Sequence, residues 1–261
     1  METPIEQIKL MLRSIDHRNI ALGCMAGNSY KKEFMREFGC TPFAMREIYE
    51  FLKKHEELEE GTCFLDIKSL SVIFKRITSL PPGIVALKKL EYLYLYNNNL
   101  KTLPESIGGL LNLKYLDASS NKLTCIPTSI TTLPVLGTLA LEKNRIKNLP
   151  EQIGMLEKLI YLGVEYNQLA CIPKSIGNIK GLLRIYLEKN RLTDLPVEFG
   201  ELENLRCLDI RDNLFTSLPI AVTKLKRLRE LDVRKNNIKE IPLELKNNKN
   251  IEVYHLDTDF F

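Results

Sequence analysis

The segment Leu93-Tyr94-Leu95-Tyr96-Asn97-Asn98-Asn99-Leu100 returns in altered form every 23 residues, and that period confines the chain to a stacked architecture. Asparagine keeps the beat at Asn98, Asn121, Asn144, Asn167, Asn190, Asn213 and Asn236. Proline does the same at Pro81, Pro104, Pro127, Pro150, Pro173, Pro196, Pro219 and Pro242. Leu93 and Leu95 alternate with Tyr92, Tyr94 and Tyr96, so a short strand sends the leucines inward and the tyrosines out. Asn98 closes that strand with donors and an acceptor on one side chain, suited to backbone groups left open where the chain turns inward. Proline at one fixed place per unit disfavours a long helix on the return path. Short 3₁₀ turns are expected there, with Ile107 and Leu110 pointing to the core.

The full unit is Leu-x-x-Leu-Pro-x-x-Ile-x-x-Leu-x-x-Leu-x-x-Leu-x-Leu-x-x-Asn, beginning at Leu100-Lys101-Thr102-Leu103-Pro104-Glu105-Ser106-Ile107. It resembles the 23-residue subtype of the leucine-rich repeat. That subtype occurs in Ras-pathway scaffold proteins, in plant intracellular Ras-group proteins and in bacterial repeat proteins, including effectors injected into host cells. The resemblance spans residues 62–258. It implies an α/β solenoid: a horseshoe with a parallel concave sheet, short 3₁₀ turns on the convex side and an N-terminal helical cap. It also implies a binding scaffold with no chemistry of its own.

The chain divides near residue 60. Residues 1–60 lack the period and read as four helices, an N-terminal cap or small module; residues 61–261 read as the solenoid, with about nine strands and seven full repeats. Thr3-Pro4-Ile5-Glu6 is a capping box opening a helix to about Ser14, with Ile5, Ile8, Leu12 and Ile15 on one face. Asp16 is placed to cap a second helix that Gly27 would end, and Ser29 a third closed by Gly39. Thr41-Pro42 opens a fourth, with Met45, Ile48, Tyr49 and Leu52 as its apolar stripe. Residues 56–61 form the junction. Strands are expected to begin near residues 69, 92, 115, 138, 161, 184, 207, 230 and 253. In the first unit Lys75 replaces the asparagine. In the last, Tyr254 and Leu256 take the inward places and Asp259 the asparagine's, leaving Thr258 to Phe261 to fold back as a plug unless the natural chain runs further.

A net charge of +4 is too small to argue for nucleic acid or a membrane surface. No apolar run approaches the ~20 residues of a membrane span, and Glu6, Lys9 and Arg13 break any signal-peptide core. Six cysteines form no Cys-x-x-Cys pair, and no Asn-x-Ser/Thr site occurs. Reduced thiols follow, in an intracellular chain that is cytoplasmic or delivered into a host cytosol. His17, His55 and His255 stand at no catalytic or metal-ligand spacing, and no phosphate loop or nucleophile elbow is present. Bacterial leucine-rich repeat ubiquitin ligases carry a nucleophilic cysteine in a separate domain. The nearest approach here is Cys63-Phe64-Leu65-Asp66, which reads as the start of the repeat core. No enzyme, cofactor or metal is expected.

The information lies on the concave face, whose residues have no packing duty. Three outward positions on nine strands make about 27 sites, roughly a tenth of the chain, and six of the ten tyrosines fall there: Tyr92, Tyr94, Tyr96, Tyr115, Tyr161 and Tyr186. Tyrosine combines a large rigid contact area with a polar tip. Small residues at Thr138, Ala140 and Gly163 should make a dip, with Glu142, Glu165 and Glu188 beside it. The same column turns basic at Arg211 and Arg234, and Asp117, Arg184, Asp209 and Asp232 complete the candidate contact set. A protein partner is expected in this face, gripped by aromatics in the N-terminal half and by charge in the C-terminal half. Arg211 and Arg234, read as the more exposed groups, should tune association rate. The alternative is the recognition part of a bacterial effector or larger assembly whose activity lies in the N-terminal helices or another segment.

Overall fold

The computed structural model describes residues 3–12, 17–38, 40–55 and 63–255. Among the described residues, nine three-residue strands form one open, curved parallel sheet in sequence order: β1 (Ser69–Ser71), β2 (Tyr92–Tyr94), β3 (Tyr115–Asp117), β4 (Thr138–Ala140), β5 (Tyr161–Gly163), β6 (Arg184–Tyr186), β7 (Cys207–Asp209), β8 (Glu230–Asp232) and β9 (Glu252–Tyr254). From β1 to β8 each residue lies beside the one 23 places on, as Tyr92 beside Tyr115 and Leu93 beside Leu116. Leu93, Leu116, Leu139, Leu162, Ile185, Leu208 and Leu231 point inward and are fully buried.

Asparagine ties each coil to the one before it. Asn144 Nδ2 donates to Ala118 O in the preceding coil at 3.0 Å and to Leu141 O in its own at 3.0 Å. Its Oδ1 accepts from Leu123 N at 2.9 Å. Asn98, Asn121, Asn167, Asn190 and Asn213 repeat the pattern and are all buried. The residue before each landmark turns left-handed: Asn97, Ser120, Lys143, Tyr166, Lys189, Asp212 and Lys235 have φ from 52° to 59°.

On the convex side, 3₁₀ turns such as Glu105–Gly109 and Lys174–Asn178 follow the prolines, and Ile107 and Leu110 are fully buried. The two turns nearest the C-terminal end are single α-turns instead, α5 (Ile220–Thr223) and α6 (Leu243–Lys246); numbering in chain order counts the four N-terminal helices first.

The last strand departs from the expected register. β9 pairs Val253 with Leu231 and Tyr254 with Asp232, so this unit is one residue shorter in the sheet and Val253, not Tyr254, takes the inward place. A branched apolar side chain fills that slot without a hydroxyl to satisfy. The Tyr254 ring stays on the open face, 5.3 Å from the Arg234 guanidinium. Leu256, Asp259 and the plug lie outside the described residues.

The N-terminal helices are α1 (Pro4–Leu12), α2 (His17–Gly27), α3 (Lys31–Phe38) and α4 (Pro42–Lys54). The capping box forms, with Thr3 N donating to Glu6 Oε2 at 2.9 Å, and Thr41 Oγ1 caps α4 through Ala44 N at 3.1 Å. Ser29 does not cap α3, because Asn28–Tyr30 is a 3₁₀ turn running straight on from α2. Gly27 is helical there rather than left-handed, and close approach explains it: a Cβ would fall 2.5 Å from the Phe34 ring. Ile15, Asp16, Gly39 and the 56–61 junction lie outside the described residues. α4 lies on the first coil, where Tyr49 and Phe64 rings are 5.6 Å apart and a Cβ on Gly83 would clash with Ala44 O at 1.8 Å. Phe64, Ile67 and Leu70 are buried, in one core cluster that runs unbroken from Ile8 to Leu245.

Two outcomes follow. Asn144→Leu should destabilise by about 1–3 kcal/mol in chemical denaturation, since it strands buried backbone groups in two coils. Gly83→Val should push α4 off the first coil, and limited proteolysis should then remove the N-terminal helices from a surviving solenoid. A Gly83→Val protein as protease-resistant as the parent would show that the helices do not depend on that contact.

Candidate functional site

Strand register sorts the open face into columns. Tyr92, Tyr115, Thr138, Tyr161, Arg184, Cys207 and Glu230 stand side by side, as do Tyr94, Asp117, Ala140, Gly163, Tyr186, Asp209 and Asp232. Two residues beyond the second column run Tyr96, Ser119, Glu142, Glu165, Glu188, Arg211 and Arg234. The tyrosines gather into two groups. Tyr94 and Tyr115 rings lie 5.1 Å apart with Tyr92 exposed beside them, and Tyr161 and Tyr186 rings lie 5.5 Å apart. Tyr96 turns aside from the first group and meets Phe74 edge-on at 5.6 Å.

Between the groups is a hollow of about 590 Å³, walled by Tyr115, Asp117, Tyr161 and Arg184 and reaching Glu142 and Glu165. The small residues do make room, and a carboxylate occupies part of it. Glu142 folds over Gly163, where a Cβ would fall 2.4 Å from Glu142 Oε1, and the Tyr161 hydroxyl donates to that same oxygen at 3.0 Å. Burial pushes the Glu142 carboxyl up, and burial with Glu142 beside it pushes Glu165 up to about 8. Burial also raises Tyr161, with Glu142 and Glu165 adding to it.

Charge in the C-terminal half is arranged differently from the expectation. Arg211 is half-buried and held by Glu188 at 2.7 Å, and Arg234 is half-buried and held bidentately by Asp232. The acidic and basic stretches of one column meet at the Glu188–Arg211 step, so neighbouring coils neutralise each other. Asp117, Asp209 and Asp232 each accept from the backbone N–H two residues on, at Ser119, Arg211 and Arg234, so they also brace the strand ends. Burial, with Asp232 alongside, lifts Asp209 to about 6.

Inspection of the three outward strand positions missed Phe74 and Tyr166. Both sit in the left-handed column before the landmark position, and Phe74 is 64% exposed. Tyr166 lies beneath Lys189 at 4.8 Å and Lys143 at 5.9 Å and donates to Glu188 at 3.3 Å. The 23-residue spacing of that column was the available signal. Among the described residues no three His, Cys, Asp or Glu side chains are grouped to hold a metal ion, and no helix is long and apolar enough to cross a membrane.

The raised carboxyls carry a pH dependence. A folded-state pKa near 8 for Glu165 means that the folded chain holds a proton which the unfolded chain releases near its ordinary 4.5. Stability should therefore fall as pH rises from about 5 to 8, with Asp209 adding to the lower part of that window. Glu165→Gln mimics the protonated form throughout. It should flatten the upper part of the slope and be more stable than the parent at pH 8 by about 1 kcal/mol, a discounted figure because water still screens the half-buried group. Equal slopes in denaturant titrations at pH 5, 6.5 and 8 would remove Glu165 as the cause.

Comparisons with known proteins agree with this geometry. The family model described as "Leucine-rich repeat region" matches residues 105–187, and that described as "Leucine rich repeat" matches 66–123 and 180–238. No curated protein matches by sequence. Among solved structures, a leucine-rich repeat protein of Leptospira interrogans is 33% identical with a TM-score of 0.62, over 69% of this chain and 53% of that one. A chain of the Toll–Spatzle complex of Drosophila is 25% identical with a TM-score of 0.66, over 72% of this chain and 28% of that one. Internalin C2 of Listeria monocytogenes shares the fold at a TM-score of 0.67 and 22% identity, over 80% of this chain and 92% of its own. This chain thus spans about half the length of the Leptospira protein and a smaller share of the Drosophila one. The matched stretches run from residue 66 to residue 238, and the chain belongs to the leucine-rich repeat proteins.

Proposed function

We propose that this chain is a non-enzymatic scaffold that grips a protein partner in its concave face. The observation that carries the reading is the pair of tyrosine groups flanking the hollow. Tyr92, exposed, with half-buried Tyr94 and Tyr115 on one side and half-buried Tyr161 and Tyr186 on the other offer rigid apolar area with polar tips beside the hollow of the sheet face. Such groups supply the anchor contacts of protein interfaces. A partner whose structure is recorded with a similar chain, in the Toll–Spatzle complex, supports the class of function.

Arg184 and the carboxyls at Glu165, Glu188 and Asp209 surround the aromatic groups and would set orientation more than affinity. Arg211 and Arg234 are tied into ion pairs and would contribute through the shape of the face. Residues 1–60 act in this reading as the cap that closes the N-terminal end of the core, as solenoids require. Among the described residues no disulfide links the cysteines, and Cys125 and Cys171 are exposed, which supports an intracellular setting.

The test compares proteins captured from a cell lysate by the parent chain, by Tyr94→Ala/Tyr115→Ala and by the convex variant Leu111→Ser. A concave partner is retained by the parent and the convex variant, and the double variant should release it at least tenfold faster. Truncation of a central ring costs on the order of 2 kcal/mol of binding. A partner held equally by all three proteins would place binding elsewhere.

A further inference from the structure

Away from the tyrosines, the chain runs into β7, β8 and β9 through a cluster of cations. A hollow of about 580 Å³ is lined there by Arg206, Lys226, Arg227, Leu228, Arg229 and Asn250, with no acidic and no aromatic residue among them. All four cations are exposed. The repeat explains how they gather. Residues 23 apart sit on neighbouring coils, roughly 5 Å from each other, and Arg229 N donates to Arg206 O at 2.8 Å. At the far end of the same row Glu91 and Lys114 stand in the same relation and form an ion pair of 2.6 Å. The row then passes through Gly137, Ile160 and Leu183 before it reaches the two arginines.

One geometry therefore makes an attractive pair at one end of the coil and a repulsive pair at the other. Nothing in the packing demands the second, since both arginines project from the surface. Among the described residues, no ion pair uses any of the four cations. Arg227 donates to the Asn204 side chain at 2.6 Å.

We propose that this cluster is a docking site for an acidic segment of a protein partner, with Asp or Glu side chains gripped by the guanidinium forks of Arg206 and Arg229 and flanked by Lys226 and Arg227. Guanidinium pairs carboxylate bidentately, and arginine is weakly hydrated, so the contact forms at small desolvation cost. The hollow is wide enough for more than one carboxylate. Nucleic acid fits it less well. The cations come from only two neighbouring coils, whose strands lie roughly 5 Å apart, and no ring lines the hollow on which a base could stack. The site lies on a different surface from the tyrosine groups, so the two readings stand or fall separately.

Fluorescence anisotropy with the full chain and a labelled hexaglutamate peptide tests the assignment. The parent should bind it, more weakly as salt is raised, and should leave a hexalysine peptide unbound. Arg206→Glu/Arg229→Glu should weaken binding at least tenfold, and the neutral pair Arg206→Gln/Arg229→Gln less than that. Lys122→Glu/Lys147→Glu, which reverses as many charges on other parts of the surface, should bind like the parent. The proposal is overturned by absence of hexaglutamate binding or by an unchanged Arg206→Glu/Arg229→Glu protein. It is also overturned if a single-stranded oligonucleotide of equal charge binds more tightly and is lost with the same two substitutions.

Discussion

The structure depends on an amide side chain that serves two coils at once. Each landmark asparagine donates to carbonyls in its own coil and the one before, and accepts from an N–H of that earlier coil, as Asn144 does through Ala118, Leu141 and Leu123. Aspartate has no donor for the carbonyls, and glutamine is a methylene too long for the same reach. The exception is instructive. Lys75 holds this place in the first coil, which has no earlier coil whose backbone needs bridging; α4 and Phe64 cover that end instead. With the turns fixed by asparagine, the leucines have only to fill the space.

The same stacking crowds like charges on the open face, and the molecule relieves that crowding in three ways along one column. Glu142 lies down over Gly163 and takes a hydrogen bond from Tyr161. Glu165, between two carboxyls, holds its proton instead. Glu188 meets Arg211 in the next coil. A hydroxyl, a proton and a cation thus each answer the same problem at successive steps of roughly 5 Å.

How much of this was legible in the sequence depended on the range of the interaction. The inward leucines, the asparagine ladder, the short return turns and the caps at Thr3 and Thr41 follow from local chemistry repeated in phase, and the sequence reading anticipated each. Thr138, Ala140 and Gly163 implied a dip, but not that Glu142 would fold into it, because that turns on a rotamer. The tyrosine column was visible, whereas Phe74 and Tyr166 were not, since they sit at a left-handed position filled by residues as unlike as Lys143, Ser120 and Asp212. Nothing in those side chains announces φ > 0; the stacked carbonyls impose it. The slip at β9 escaped for a related reason. Tyr254 and Leu256 continued the leucine beat, and only the cost of burying a hydroxyl favours Val253.

Because every asparagine reaches back one coil and no further, each 23-residue unit is bonded only to its neighbours. Adding or removing a whole unit between Asn144 and Asn167 would leave every such bond with a partner. It would also lengthen or shorten the face by one strand spacing of about 4.8 Å. The distance from the Tyr94–Tyr115 rings to the Arg206–Arg229 pair is accordingly counted in coils, a ruler graduated in single repeats. Evolution could fit such a chain to a longer or shorter ligand by duplicating or losing a unit, leaving the side chains at either end untouched.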